Sequence, residues 1–314
     1  MTKRTWGLPD TIRAWFDSTA GEEAGKGPDH IDLGRIAPFI GMHLACLLVF
    51  WVGVSPVAVL TGAALYVLRM FAITGFYHRY FSHRAFRTSR VAQFLFAALG
   101  AMAVQRGPLW WAAHHRHHHA HSDRPEDAHS PRQHGFIWSH MGWFLARGNY
   151  RIDTRRIRDL EQFPELRWLD RYDIAMPVLL AIGLCVTGML LHRFAPQFGT
   201  SGPQMMVWGF FVSTVVCYHA TYTINSLSHV FGRQRYRTPD DSRNNLWLAL
   251  LTLGEGWHNN HHHYPKSARQ GFYWWEIDLT YYALRILAWL GVIWDLQPVP
   301  ANVRDSRRLS SPQR

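Results

Sequence analysis

Four apolar runs limit what this chain can fold into. They cover residues 37–54, 57–74, 174–191 and 205–224. Each holds about 18–20 residues, which at 1.5 Å per residue is roughly the 30 Å hydrocarbon thickness of a bilayer. They fall in two close pairs, the first joined by Ser55 and Pro56 and the second by residues 192–204. Two such pairs read as two membrane hairpins. The mean hydropathy of the whole chain is slightly negative, −0.15, so a large polar portion must lie outside the bilayer.

Arginine placement gives the orientation. The connections at 53–56 and 192–204 hold only Arg193, whereas the N-terminal arm, residues 75–173 and the chain beyond 231 hold almost all the other cations. Cytoplasmic loops carry the excess of Lys and Arg. The expectation is therefore an all-α integral membrane protein of the cytoplasmic membrane, with four spans and both termini cytoplasmic. Residues 1–35 form an arm, 36–296 a membrane domain whose cap comprises 75–173 and 225–296, and 297–314 a polar tail. A fifth apolar run, 91–104, is too short to span and reads as an interfacial helix.

The N-terminus is charged, with neither an apolar core nor a cleavage site, and is not a signal peptide. The net charge of +11 suits anionic lipid, an acidic protein or nucleic acid. Finger spacings and basic heptads are both missing from the sequence, so no nucleic-acid partner is expected. Cys46, Cys185 and Cys217 lie in apolar runs without framework spacing, which points to reduced thiols.

Three histidine clusters carry the chemistry: "GFYHRYFSHRAF", "WWAAHHRHHHAHSD" and "GEGWHNNHHHYP". With both hairpins oriented as above, all three fall on the cytoplasmic side. Neutral imidazole is a ligand for iron, copper, zinc and nickel. Residues i, i+3 and i+4 share a helix face, and the second cluster offers that spacing twice, as His114/His117/His118 and as His115/His118/His119. Spacing does not choose between them. The third cluster offers His258/His261/His262, and the five-residue step from His78 to His83 suits a helix end running into a loop. One zinc ion takes about four ligands, so this many imidazoles implies two metal ions.

At this point "HRYFSH", "HRHHHAHSD" and "HNNHH" resemble the three histidine boxes of the membrane fatty acyl desaturases, in the stearoyl-CoA branch without a fused cytochrome domain. "EDAHSP", "GFIWSHMGWFLAR", "NSLSHVFG" and "SRNN" extend the resemblance, which covers roughly residues 36–296. It implies His115, His118 and His119 as the second-box ligands, because only His115 is followed by arginine. It adds His229 as a ninth ligand and Asn225 as a ligand through water. His114, His117, His121, His129 and His263 are then supporting or surface residues. It further implies two iron ions, replaceable by zinc in purified protein, and insertion of a delta-9 cis double bond into a saturated acyl chain. The substrate it implies is a CoA thioester first, with lipid and carrier-protein esters as alternatives. The co-substrates are O₂ and two electrons.

The sequence shows no flavin, nicotinamide or cytochrome signature, so the electrons are expected from a ferredoxin or a cytochrome b5-like carrier with its reductase. Arg151, Arg155, Arg156, Arg158, Arg233, Arg235 and Arg237 would form its docking face. Asp123, Asp127 and Glu255 are suited to fix ring tautomers. Trp110, Trp111, Trp143 and Trp257 are expected on the wall of an acyl tunnel, while Trp138 fits an interfacial belt. Counting back from His78 through Thr74 and Met70 places Tyr66 about 18 Å away as the tunnel floor. Two other readings compete: a membrane hydroxylase on the same metal plan, and a metal-transport protein. The second is weakened because the histidines cluster outside the apolar runs rather than at midplane.

Overall fold

The computed structural model describes residues 8–18, 31 and 33–309. Its described part is mostly helical, with one two-stranded antiparallel pairing that matches Arg87 with Trp294 and Thr88 with Ile293. Two helices, Pro56–Ser82 and Ala175–Phe194, are long and apolar enough to cross a membrane. The other two expected spans differ in form. The first is a shorter apolar helix, Ile36–Val52, tightened by a 3₁₀ turn at Cys46–Leu48. The last is helical over residues 202–226 but carries Ser213, Thr214, His219, Thr221 and Thr223, which lower its hydropathy.

Local chemistry sets the hairpins. Ser55 caps helix 56–82 by accepting from the Ala58 amide, with Pro56 at the first helical position. Ser201 does the same for the following partner helix, accepting from the Gln204 amide. Close approach needs glycine: a Cβ on Gly188 would lie 2.4 Å from the Ser201 carbonyl oxygen, and one on Gly62 would lie 2.7 Å from that of Trp208. Side chains on the outer faces of the hairpins point away from the protein, with Phe50 87% and Trp51 90% exposed. A buried cation in this layer, Arg69, donates to Ser213, Thr214, Leu65 and Met102. A buried charge persists only when its donors are met in this way.

Helix 56–82 runs eight residues beyond the expected span, its last part as π-helical turns over Ala72–Ser82. It therefore enters the cap, where Phe76, Tyr77, Phe81 and Phe86 pack with Phe96, Ala97, Leu109 and Leu169 in the main core. Helix Arg90–Ala101 belongs to this core and is shorter than a span. Part of the expected N-terminal arm is ordered: helix Leu8–Phe16 is followed by Asp17, which pairs with Arg171 at 2.8 Å. Residues 1–7, 19–30 and 32 of that arm lie outside the described residues. Residues 297–309 of the expected tail are laid across the cap, with the Tyr236 hydroxyl donating to the Arg304 carbonyl and the Leu309 amide to that of Arg235.

Helix Pro108–His121, which holds the second histidine cluster, has no side-chain cap of its own at Gly107. Asp170 supplies one from a distant segment, its Oδ1 accepting from the Leu109 and Trp110 amides at 2.9 and 2.8 Å. Burial pushes this carboxyl up to about 7 despite those bonds. An acid raised on folding binds its proton more tightly when folded, so its contribution to stability falls as pH rises from about 4 to about 7. Asp170→Asn, which keeps the acceptor, should flatten that part of the stability–pH curve measured by thermal unfolding in detergent. Asp170→Ala strands two buried amides and should cost about 1–3 kcal/mol.

Candidate metal centre

Four segments deliver nine imidazoles to one place. His78 comes from the π-helical end of helix 56–82 and His83 from its C-cap. His115, His118 and His119 project from helix 108–121, and His258, His261 and His262 from the short helix His258–His263. His229 ends the 3₁₀ turn Leu227–His229 that follows helix 202–226. The ring nitrogens sort into two sets, His78/His83/His115/His119/His261 and His118/His229/His258/His262, each lying within 4.8 Å. On both ligand helices an i,i+4 pair (His115/His119, His258/His262) enters one set, and the i+3 histidine (His118, His261) enters the other. The two sets are interleaved.

Inward-facing nitrogens approach one another closely. His83 and His115 meet Nε2 to Nε2 at 2.8 Å, His119 and His261 at 2.9 Å, His78 and His261 at 3.0 Å, and His229 and His258 at 3.1 Å. Outward nitrogens are held by acids: His118 Nδ1 on Asp127 at 2.9 Å, His229 Nδ1 on Asp123 at 2.9 Å, His262 Nδ1 on Asp240 at 2.8 Å, and His78 Nδ1 on Glu255. A ring that donates from Nδ1 presents a bare lone pair at Nε2. His262 Nε2 has no partner among the described residues, and neither has Nδ1 of His258 or His261. Lone pairs facing one another in a buried space fit a cation between them.

The electrostatics agree. Burial holds His83, His115, His119, His258 and His261 well below the ordinary imidazole range, and His262 at about 4. They are neutral, the form that binds metal. Burial also disfavours charge on His118, but Asp127 outweighs it and leaves that ring raised. Burial works against ionising Asp123, Asp127 and Asp240 too, yet their histidine partners hold all three well below the usual carboxylate range. Glu255 is lowered in the same way by His78 and Arg79. Arg79, fully buried, bridges Glu255 and Asp278 at 3.0 and 2.9 Å.

Asp123, Asp127 and Glu255 were expected from sequence to hold rings, and the structure places each on one. Asp240 and Gln270, the latter 3.3 Å from His78 Nδ1, were not. Nothing in "TPDD" marks a histidine partner 22 residues away. Of the remaining histidines, His129 packs on His118 and Trp143, and His114 on Trp110. His117 and His121 bond backbone carbonyls, and His263 stacks on Tyr236 at 4.0 Å. Arg235, expected on a docking face, instead bonds Glu276 and Asn260 inside the cap.

A cavity of about 380 Å³ abuts the imidazoles, lined by Trp110, Trp111, Trp143, His115, Tyr222 and Asn225 among others. A smaller one of about 40 Å³ continues from Trp111, His115 and Asn225 to Thr74 and Met70. Trp257 and Tyr66 line neither. The Trp257 indole donates to the Ile277 carbonyl at 2.7 Å, and the Tyr66 hydroxyl to that of Leu251 at 2.5 Å. Tyr66 packs against the cluster of Met70, Cys217, Ala220 and Leu253.

The family profile described as Fatty acid desaturase matches residues 43–293, across all of these segments. The chain belongs to the fatty acid desaturase family. Among its relatives, a palmitoyl-monogalactosyldiacylglycerol delta-7 desaturase of Arabidopsis thaliana is 37% identical over 88% of this chain and 71% of its own length. An sn-1 stearoyl-lipid 9-desaturase of Anabaena variabilis is 35% identical over 81% and 89%. An acyl-CoA 5-desaturase of Anemone leveillei is 36% identical over 89% and 83%. The names of these relatives include both lipid-linked and CoA-linked substrates, so the similarity establishes the family and not the stearoyl-CoA branch. As a desaturase the chain is an oxidoreductase of lipid metabolism, and its histidine sets can hold metal.

Asp240→Ala frees the His262 ring and should weaken metal retention about 10–100-fold at the four-histidine set. Chelator competition with metal analysis checks this. The five-histidine set, which makes no contact with Asp240, should keep its ion.

Proposed function

We propose that this desaturase inserts a cis double bond, at delta-9, into a saturated fatty acyl chain, consuming O₂ and two electrons from a separate carrier. The observation that carries this reading is the pair of acid-braced imidazole sets against a largely apolar cavity. In balance, –CH₂–CH₂– + O₂ + 2e⁻ + 2H⁺ gives –CH=CH– + 2H₂O. Two irons held by the sets would supply the O₂-dependent oxidation of an unactivated methylene, which standard side chains cannot perform. His78, His83, His115, His119 and His261 would hold one ion. His118, His229, His258 and His262 would hold the other, with Asn225 placed to hold a water.

The protein's own part is positioning and exclusion. Asp123, Asp127, Asp240 and Glu255 fix ring orientation and, in the neutral ring, place the proton on the outer nitrogen. Trp110, Trp111 and Trp143 give an acyl chain a dry wall beside those rings. The electron donor would be a ferredoxin or cytochrome b5-like protein. Both hairpins would lie in the cytoplasmic membrane with the cap and both termini inside. Support comes from the outward apolar side chains and the arginine distribution.

Expression in a host whose fatty acids are profiled tests the reaction: new cis-monounsaturated chains are expected, and hydroxylated chains alone would overturn it. Purified, iron-replete protein should contain about two irons per chain. His118→Ala should abolish unsaturation while leaving the protein folded in detergent, because His118 sits within the second set. His263→Ala should keep appreciable activity, since that ring stacks on Tyr236.

A further inference from the structure

Accepting the desaturase reading, we propose that the acyl chain is taken sideways from the bilayer, still esterified to a membrane lipid, through a slot between helices Leu33–Ala45 and Ala175–Phe194. Both helices pack on the segment Val207–Val212 but scarcely on each other. Behind the gap lies the larger cavity. Its wall there is Pro38, Phe39 and Met42 from one helix and Pro177, Val178 and Ala181 from the other. Pro38 is exposed and Val178 is 43% exposed, so the wall is open to the outside.

On the membrane placement proposed above, the opening lies at acyl-chain depth. Ile174 to Ala181 covers about 10 Å of helix, within the roughly 15 Å of one leaflet's hydrocarbon. On the third wall the cavity runs from Phe210 to Asn225, about 22 Å along the helix. An extended chain of about sixteen carbons spans roughly 20 Å, at a little over 1 Å per C–C bond. A chain sliding in this way stays among apolar groups throughout, so it never gives up its burial.

A soluble thioester fits the same walls less well. CoA carries several phosphates, whereas among the described lining residues Arg106 is the only lysine or arginine, and it stands 3.6 Å from Asp173. Arg106 also lies against the faces of Trp110 and Tyr150. A single phosphodiester at the membrane interface suits one such cation; a nucleotide with three phosphate groups calls for more.

The first test uses purified, iron-loaded protein with a reduced ferredoxin system. It is reconstituted in vesicles of phosphatidylcholine, phosphatidylethanolamine and phosphatidylglycerol, each bearing one palmitoyl chain, with palmitoyl-CoA offered in parallel. New double bonds are expected in vesicle lipid at least about tenfold faster than in the CoA fraction. A smaller ratio, or a preference for CoA, overturns the lateral route while leaving the desaturase reading intact. No double bond in either fraction overturns that reading and this inference together.

A second readout needs no metal. Phosphatidylcholine with a photoreactive group midway along its acyl chain should label peptides containing Trp111 and Trp143, which lie inside the wall beyond the reach of surrounding lipid. Val178→Trp, narrowing the slot from its exposed edge, should cut both labelling and lipid turnover about fivefold. Leu179→Trp, on the neighbouring exposed position outside the cavity, should change neither. Failure to label those peptides overturns the slot, and so does Val178→Trp behaving like Leu179→Trp.

Discussion

Everything in the cap depends on keeping nine imidazoles packed together and pointed at one another. Without a cation, facing lone pairs repel, and a ring free to rotate would turn its nitrogen away. The acids on the outer nitrogens prevent that. Asp123 shows the demand placed on the backbone: it sits in the left-handed region, at φ 59°, while its carboxylate takes Ser130, His229 and the Asp241 amide at once. Such a conformation persists in a non-glycine residue only where surrounding bonds over-determine it. The carboxylates in turn are kept ionised by the rings and by Arg79.

The apolar layer serves the same end. Helix 56–82, long and apolar enough to cross a membrane, continues into the cap without a break and presents His78 on its extension. Helix 202–226 does the reverse, rising to deliver Asn225 and, one turn later, His229. The centre is therefore mounted on the ends of the hairpin helices, and the tight glycine contacts at Gly62 and Gly188 fix the frame on which it stands.

Much of this could be read from the residues themselves. The helical spacing of the second and third clusters, and the loop-ward step from His78 to His83, follow from 3.6-residue geometry alone. Choosing His115 over His114, and including His229, needed the family resemblance, because a lone histidine after an apolar run carries no signal. Asp240 and Gln270 stayed invisible, since they reach their rings only through the folded chain. The count back from His78 assumed an ideal helix. Thr74 and Met70 do face the smaller cavity, but the stretch from Ala72 to Ser82 is π-helical, with one extra residue per turn. Tyr66, one α-helical turn before Met70, has its hydroxyl held by the Leu251 carbonyl and lies off the lining. Two expected spans differ in form because one is short and the other carries polar side chains on buried faces.

The interleaving of the two histidine sets has a consequence for assembly. Each of the helices 108–121 and 258–263 gives ligands to both sets, so neither position can be finished before the other is nearly formed. The gap between the two candidate ion positions is then set by helical rise, a quantity that side-chain substitution barely alters. An ion in either position should hold the shared helices and so tighten the other position, while each set keeps its own acid braces. Evolution could change what lies beside the pair far more readily than the pair itself.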